Sequence, residues 1–446
     1  MSTTSSTAPA PGVKKDNPIK VSIASMIGTA VESYDFFIYA TAAATYFGAV
    51  FFATDNALVG ALASFATLAI GFLFRPLGGY LAGHFGDRIG RKRVLIWSLV
   101  VMGVVTTLIG VLPTFATVGI AAPIMLILLR IIQGIAYGAE WGGAVLMAVE
   151  HAPARRRGFF GALPQIGIPA GLLIANGTIL ATSGLPGDWA WRVPFLLASI
   201  MVVIGLFIRL RVAESPEFET MKAKDEVLKQ PALETLKRDW RLIVRIIGLR
   251  LAETGGYYLT TAFTVTYVGL ASITEGSNVL IGTLVGSAIG LGSHLVFGAL
   301  SDRIGRKKVF LIGSIFTILF AFPMFLLINT GSLAMIVVAI ALSLVLSHDP
   351  IFAVEGSWFS ELFPANRRTS GISLGYNGAA IVAGCLPFIA TAVYGWMGWV
   401  GPALLLVALG VISTAVAVTA RETAPAVVGS GPATPADARI AERVSA

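Results

Sequence analysis

Hydrophobic residues run along this chain in long stretches separated by short polar ones. Twelve stretches are long enough to cross a bilayer, since about 20 residues of helix span roughly 30 Å of hydrocarbon. They cover residues 22–49, 58–83, 94–113, 120–149, 159–182, 190–211, 242–270, 278–300, 309–328, 332–357, 371–394 and 400–420. A helix of a soluble domain needs only one apolar stripe, whereas these are apolar nearly all round. The pattern predicts an all-α integral membrane protein with twelve transmembrane helices. The one long polar stretch between them, 212–241, interleaves acids and bases and reads as a central loop with surface helices. Residues 1–18, rich in Ser, Thr, Ala and Pro, and residues 421–446, rich in Ala, Pro, Gly and Val, read as disordered tails.

The polar punctuation repeats. Gly86-Asp87-Arg88-Ile89-Gly90-Arg91-Lys92 follows the second apolar stretch, and Ser301-Asp302-Arg303-Ile304-Gly305-Arg306-Lys307-Lys308 follows the eighth, 215 residues later. Glu150, Pro153, Ala154, Arg156 and Arg157 recur as Glu361, Pro364, Ala365, Arg367 and Arg368 at an offset of 211. Glu32, Thr45 and Tyr46 recur as Glu253, Thr266 and Tyr267 at an offset of 221. Three segments at similar offsets indicate duplication, with pseudo-symmetric six-helix bundles at 19–211 and 242–420.

Composition agrees with a membrane protein. Hydrophobic residues make up 56% and charged residues 13%, against roughly 25% charged in soluble proteins. The net charge of +8 is unevenly placed. Of 32 lysines and arginines, 29 fall in the tails, in the segment from Arg209 to Arg250, or in the loops after stretches two, four, eight and ten. The opposite loops have none. The positive-inside rule therefore places both termini and the central loop in the cytoplasm of a cell-membrane protein. The basic excess comes with no nucleic-acid reader motif, so no nucleic-acid partner is expected. The single cysteine, Cys385, excludes an internal disulfide. The four histidines (His84, His151, His294, His348) are scattered along the chain, so no bound metal is expected. The first stretch carries Glu32 and Asp35, which argues against a cleaved signal peptide.

Three bases remain. Arg75 and Arg130 lie inside apolar stretches, and Arg192 lies at the outer mouth of the sixth. A charge in the bilayer costs about 2.5–3.5 kcal/mol even on insertion scales, so such residues need partners and mark a substrate or ion path. Glu32, Asp35 and Tyr39 fall at i, i+3 and i+7, on one helical face. Buried carboxylates there either exchange a proton and touch substrate, or serve as struts paired with an arginine.

These motifs identify a resemblance. Asp87-Arg88-Ile89-Gly90-Arg91-Lys92 resembles the loop signature of the major facilitator superfamily, and Arg130-Ile131-Ile132-Gln133-Gly134 its fourth-helix motif. Glu32-Ser33-Tyr34-Asp35-Phe36-Phe37-Ile38-Tyr39 is similar to the first-helix pattern of its metabolite:proton symporter family. So are Gly71-Phe72-Leu73-Phe74-Arg75-Pro76-Leu77-Gly78-Gly79, Glu140-Trp141-Gly142-Gly143-Ala144 and Trp191-Arg192-Val193-Pro194-Phe195. The resemblance runs from about residue 20 to 420 and implies two six-helix bundles around a central cavity. Known cargoes of the family include shikimate, 2-oxoglutarate, citrate, and proline or betaine.

The resemblance also implies roles. Glu32, Asp35, Arg130 and Glu140 are expected to couple protons, with a purely structural Arg130–Glu140 pair as the alternative. Arg75 and Arg192 are expected to bind substrate, as matching arginines do in the family's dicarboxylate carriers; the alternative for Arg192 is an interfacial anchor beside Trp189 and Trp191. Tyr39, Glu253, Tyr257 and Asn377 are expected along the substrate path. Asp87, Arg88, Arg91, Lys92 and their counterparts Asp302, Arg303, Arg306 and Lys307 are expected to gate, by capping a neighbouring helix or pairing with basic loops. His348-Asp349-Pro350 departs from the family pattern; it either tunes substrate choice, joins a proton relay, or is a satisfied polar patch at a Pro break. Gly134-x-x-x-Gly138 reads as close helix packing. The expected activity is inward symport of a small organic acid with protons by a monomer needing no cofactor. A zwitterion symporter, an efflux antiporter and a non-transporting receptor stay open. No nucleophile elbow or cofactor loop suggests an enzyme.

Overall fold

A backbone N–H or C=O in hydrocarbon has no water to bond, so each must be satisfied within its own segment. The computed structural model obeys this constraint throughout. It describes residues 18–52, 54–81, 91–138, 145–146, 148–149, 152–211, 231–363 and 368–428. Among them, twelve helical segments follow one another and no strand occurs. They are α1 (Pro18–Thr45), α2 (Ala57–Leu81), α3 (Arg91–Gly110), α4 (Ala121–Gly138), α5 (Ala154–Thr182) and α6 (Trp189–Arg211). The second half has α7 (from Pro231 through Leu270), α8 (Gly276–Ile304), α9 (Arg306–Ile328), α10 (Leu333–Leu362), α11 (Arg368–Met397) and α12 (Val400–Thr419).

Helices α3, α6, α9 and α12 carry the outward apolar surface. Trp97, Val104, Val203, Phe207, Leu319, Leu326, Val411 and Val418 are all more than half exposed or close to it. A belt of that extent is tolerable only against lipid. Inside, the two halves meet along α2 with α11 and α5 with α8. Within the first half α2 and α4 touch backbone to backbone: a Cβ on Gly134 would stand 2.0 Å from the Gly71 carbonyl oxygen, and one on Gly138 would stand 1.9 Å from that of Arg75. The Gly134-x-x-x-Gly138 pattern thus has the packing role read from its spacing.

The repeated charged hinge is described in its second copy. Asp302, near the end of α8, accepts from the backbone N–H groups of Gly158 and Phe159 at 2.8 and 2.9 Å. Those are free N–H groups in the first turn of a helix, where a carboxylate is favoured by both hydrogen bonding and the helix dipole. Because Gly158 belongs to α5, the bond ties one half to the other. Arg306 holds Asp302 at 2.8 Å and reaches Glu361 at 3.4 Å. Gly305 turns the chain between α8 and α9 with φ +111°, a conformation that excludes most side chains.

Two sequence readings change. The tail read as disordered from Arg421 starts as packed chain: Glu422 accepts from Arg306 N and Lys307 N at 2.9 and 3.1 Å, and Trp358 Nε1 donates to Arg421 O at 2.9 Å. A carboxylate on the otherwise uncapped first turn of α9 is the physical reason. Arg250, counted with the cytoplasmic bases, lies instead in the protein interior at 2% exposure; the helix opening at Pro231 breaks at Asp239, in keeping with a surface helix ahead of the span.

Gly134→Val should force α2 from α4 and cost about 1–3 kcal/mol, as overpacking does. Thermal unfolding in detergent measures this; an unchanged melting temperature would refute the close approach.

Candidate functional site

Between the halves lies a small, tightly closed cavity. The first half supplies Phe36 and Phe37 from α1, Arg75 from α2, Tyr137 from α4 and Ile168 from α5. The second supplies Arg250, Glu253, Thr254, Tyr257 and Tyr258 from α7, His348 and Phe352 from α10, and Tyr376 and Ala380 from α11. Arg75, Glu253 and His348 are each only 4% exposed, so the cavity is closed to bulk water.

Arg75 sits in an aromatic cage. Its guanidinium lies 3.9 Å from the ring centres of Phe72 and Tyr137 and 4.8 Å from that of Phe36. Desolvated cation–π contacts are each worth up to about 2 kcal/mol. Among the described residues no carboxylate lies within ion-pair distance of Arg75.

The opposite wall is charge-dense. Arg250 pairs with Glu253 at 2.9 Å and closely with Glu355, and donates to Thr254 at 2.8 Å. Its guanidinium also faces the Tyr376 ring at 3.7 Å. His348 links to Glu253 through Nε2 at 3.3 Å and to Asp349 through Nδ1 at 2.9 Å. Asp349 extends the chain to His294 at 3.7 Å and to the Ser293 hydroxyl. Glu253 lies in a π-helical turn, Leu251–Gly255, and His348 in another, Ser343–His348. Such turns loosen the backbone ladder and often mark functional sites.

The fold separates the residues that sequence spacing grouped. Glu253 and Tyr257 line the cavity with Arg75. Glu32 and Asp35 are buried, at 6% and 0% exposure, but α1 presents Phe36 and Phe37 to the cavity. Tyr39 shares a 2.6 Å hydrogen bond with Thr67 and lies 3.7 Å beneath the Arg130 guanidinium, so it serves Arg130 and does not line the cavity. Arg130 donates to Gln133 at 2.6 Å, and Gln133 to Thr106 at 2.8 Å, tying α4 to α3. Asn377 donates to Gly138 O at 3.4 Å and Ser373 O at 3.0 Å, a bridge between halves beside the cavity.

Arg192 is not at the cavity. It donates to the Gly110 and Leu112 carbonyls at 2.9 and 2.7 Å, pairs with Asp188 at 3.3 Å and stacks 4.3 Å from Trp191. Free carbonyls ending α3 attract a cation more cheaply than the cavity does. The placement fits the anchor reading. Of the gate residues, Asp302, Arg306 and Lys307 form the hinge network, with Lys307 Nζ donating to Ala420 O at 3.3 Å. Arg303 is exposed beside it. Glu140, Asp87 and Arg88 lie outside the described residues; Arg91 and Lys92 open α3.

The histidines are not all scattered in space. His294, His348 and Asp349 place ligand-type atoms within 4.8 Å of one another. His348 directs both ring nitrogens at carboxylates, and His294 Nδ1 donates to Gly290 O at 2.7 Å. The geometry is that of a hydrogen-bonded chain.

Spacing alone missed Arg250, Glu355 and His294. Arg250 adjoins a polar stretch and was grouped with the cytoplasmic bases. Glu355 is an acid in an apolar span, a signal sufficient to flag it. It also follows Glu140 by 215 residues, the offset of the hinge repeat.

Arg250→Leu should strand two buried carboxylates and cost about 3–5 kcal/mol, while pairing it with Glu355→Gln should recover part of the loss. Thermal unfolding of the single and double variants checks this; equal losses would show that the pair does not interact.

Comparison with known proteins agrees with this geometry. The sequence model of the Major Facilitator Superfamily matches residues 25–348 and 293–444. The shikimate transporter of Escherichia coli K12 is 38% identical over 417 residues, 91% of this chain and 94% of that protein. The inner membrane metabolite transport protein YhjE of the same organism is 41% identical over 382 residues, 83% and 87% of the two chains. The E. coli K12 proline/betaine transporter is 32% identical over 423 residues, 91% and 84%. The partially occluded, inward-open xylose transporter XylE from E. coli superposes with a TM-score of 0.68 at 16% identity, over 93% of this chain and 99% of that one, a likeness of fold. The chain belongs to the Major Facilitator Superfamily and, with these relatives, to its metabolite:proton symporters, which are transporters and not enzymes.

Proposed function

We propose that this protein imports a small organic acid with one carboxylate, together with protons, by alternating access. The observation that carries the reading is the contrast between two cavity arginines. Arg250 faces two acids, Glu253 and Glu355. Arg75 faces only aromatic rings among the described residues, and a guanidinium so placed takes a carboxylate bidentately. Arg192 is held by the α3 carbonyls away from the cavity, and the second cavity guanidinium, Arg250, is matched by its two acids. The reading therefore narrows from dicarboxylates toward a monoanion.

The cavity walls refine the class. Phe36, Phe37, Tyr137, Tyr257, Tyr258 and Tyr376 offer ring faces and hydroxyls, suited to a ring-bearing hydroxy acid of the shikimate kind. The 38% identity to a shikimate transporter points the same way. The aromatic faces also suit a quaternary ammonium, and the proline/betaine relative favours that second reading. Against it, Glu253 is already matched by Arg250 and His348.

In this mechanism the hinge face is cytoplasmic, as the basic loops require. The Asp302 bond to the start of α5 latches that face, and its release lets the bundles rock about the substrate. Substrate binding shifts the balance only by interacting differently with the two states.

Uptake into proteoliposomes under an inward proton gradient tests the reading, with labelled shikimate, 2-oxoglutarate, citrate, proline and betaine. Shikimate should accumulate, and Arg75→Ala should lower accumulation by more than about tenfold, as loss of a buried charge-assisted bond does. Normal uptake by a well-folded Arg75→Ala variant would sink the binding role. Preferential uptake of betaine would favour the second reading.

A further inference from the structure

The first-helix acids drew attention as proton carriers, yet the groups with the geometry for that task are in the second half. We infer that the transported proton is carried on the His348–Glu253 pair, with Asp349 holding the ring and Arg250 and Glu355 linking the pair's charge to the substrate cavity. This inference rests on the symport reading above.

Four observations converge. First, His348 lies in the wall between two cavities. One is the substrate cavity between the halves. The other is a small space within the second half between α7, α9 and α10. A ring so placed is reachable from either space. Second, its two nitrogens face acids on different helices, Glu253 on α7 at 3.3 Å and Asp349 on α10 at 2.9 Å. An imidazole with an acceptor at each nitrogen holds a proton as imidazolium and, on losing it, remains hydrogen-bonded on the other side. Third, Glu253 shares Arg250 with Glu355, so one guanidinium faces two carboxylates. With Asp349 the cluster sets three carboxylates against one guanidinium, and a proton on the adjoining histidine lowers that excess negative charge. Fourth, Glu253 and His348 both lie in π-helical turns that face each other, where the backbone is least locked.

The surroundings of His348 are fully specified among the described residues. From α7 it meets Glu253 and Tyr257, whose ring centre is 4.5 Å away, with Arg250 one step beyond. From α8 it meets His294, at 5.9 Å between ring centres. Its own helix gives Asp349 and Phe352, with Glu355 further along. Arg75 and Tyr376 stand across the cavity.

The transport step balances. A proton from the outer water is taken up by the His348 ring, whose nitrogens face Glu253 and Asp349, and lowers the excess negative charge on α7 and α10. The substrate carboxylate docks on Arg75, and no bond in the substrate changes. After the bundles rock, the N–H bond breaks toward the opposite face and the proton leaves to water. One monoanion and one proton cross together, so the step is electroneutral.

The test uses the full chain in proteoliposomes with labelled shikimate. Two rates are taken: accumulation under an inward proton gradient, and exchange against unlabelled shikimate without one. His348→Gln and Glu253→Gln should lower the ratio of gradient-driven uptake to exchange by about tenfold or more, the size expected for losing a dedicated proton carrier. Arg75→Ala should lower both rates together. A wild-type ratio in both His348→Gln and Glu253→Gln overturns the inference. A second arm needs no cargo. Histidine ring resonances of the detergent-solubilised protein are followed from about pH 5 to about pH 9, the span in which imidazoles titrate. One resonance, lost in His348→Gln, should titrate and should move in Glu253→Gln. A His348 ring that does not titrate, or titrates identically in Glu253→Gln, overturns the inference whatever the cargo. If no probe accumulates but the ring titrates and responds to Glu253, the cargo reading fails while the proton site is supported.

Discussion

A charge inside a bilayer has no water to turn to, and the rest of this structure follows from that. Each buried cation must find acids, carbonyls or aromatic faces within the protein. Arg250 finds Glu253 and Glu355, Arg192 the last carbonyls of α3, Arg130 Gln133 and the Tyr39 ring, and Arg75 three aromatic rings. All four arrangements cross between helices and so fix which helices lie side by side. The fourth leaves a guanidinium on the cavity whose strongest potential partner is a passing anion.

The same constraint shapes the hinge. A carboxylate on the first turn of a helix satisfies N–H groups that nothing else would reach. Asp302 does this for α5 across the boundary between halves, and Glu422 does it for α9. Such bonds are directional, short in reach and made with main chain, so they are kept or lost as whole units. That is the behaviour needed of a contact which must hold in one state of a rocking protein and be absent in the other.

The two halves have diverged in what they do with their polar residues. The first half is quiet at the cavity: one arginine among rings. The second half carries the connected acids, arginine and histidines, on helices opened by π turns. Under the proposed mechanism, substrate recognition and proton handling fall to opposite walls of one closed space, where each feels the other's charge through a medium of low dielectric.

The architecture was legible in the sequence because the bilayer constraint acts along one dimension. A helix long enough to span, a repeat of hinge motifs, and a base such as Arg75 inside an apolar run are all properties of a segment read alone. The motif left Asp302 two partners, a neighbouring helix start or the basic loops, and packing gave it the start of α5. What the sequence could not settle is which way each helix turns and what lies against it. Arg75 and Arg192 look alike along the chain, yet one faces the cavity and the other ends α3. Glu32 and Asp35 share a face with Tyr39, but the rotation of α1 gives the cavity to Phe36 and Phe37. Arg250 counts among the bases flanking the central stretch, yet α7 carries it inside to meet Glu253 and Glu355. His294 and His348 meet only because α8 packs on α10. Spacing along one helix determines a face; only the packing of twelve helices decides what that face meets, because side-chain partners come from segments hundreds of residues apart.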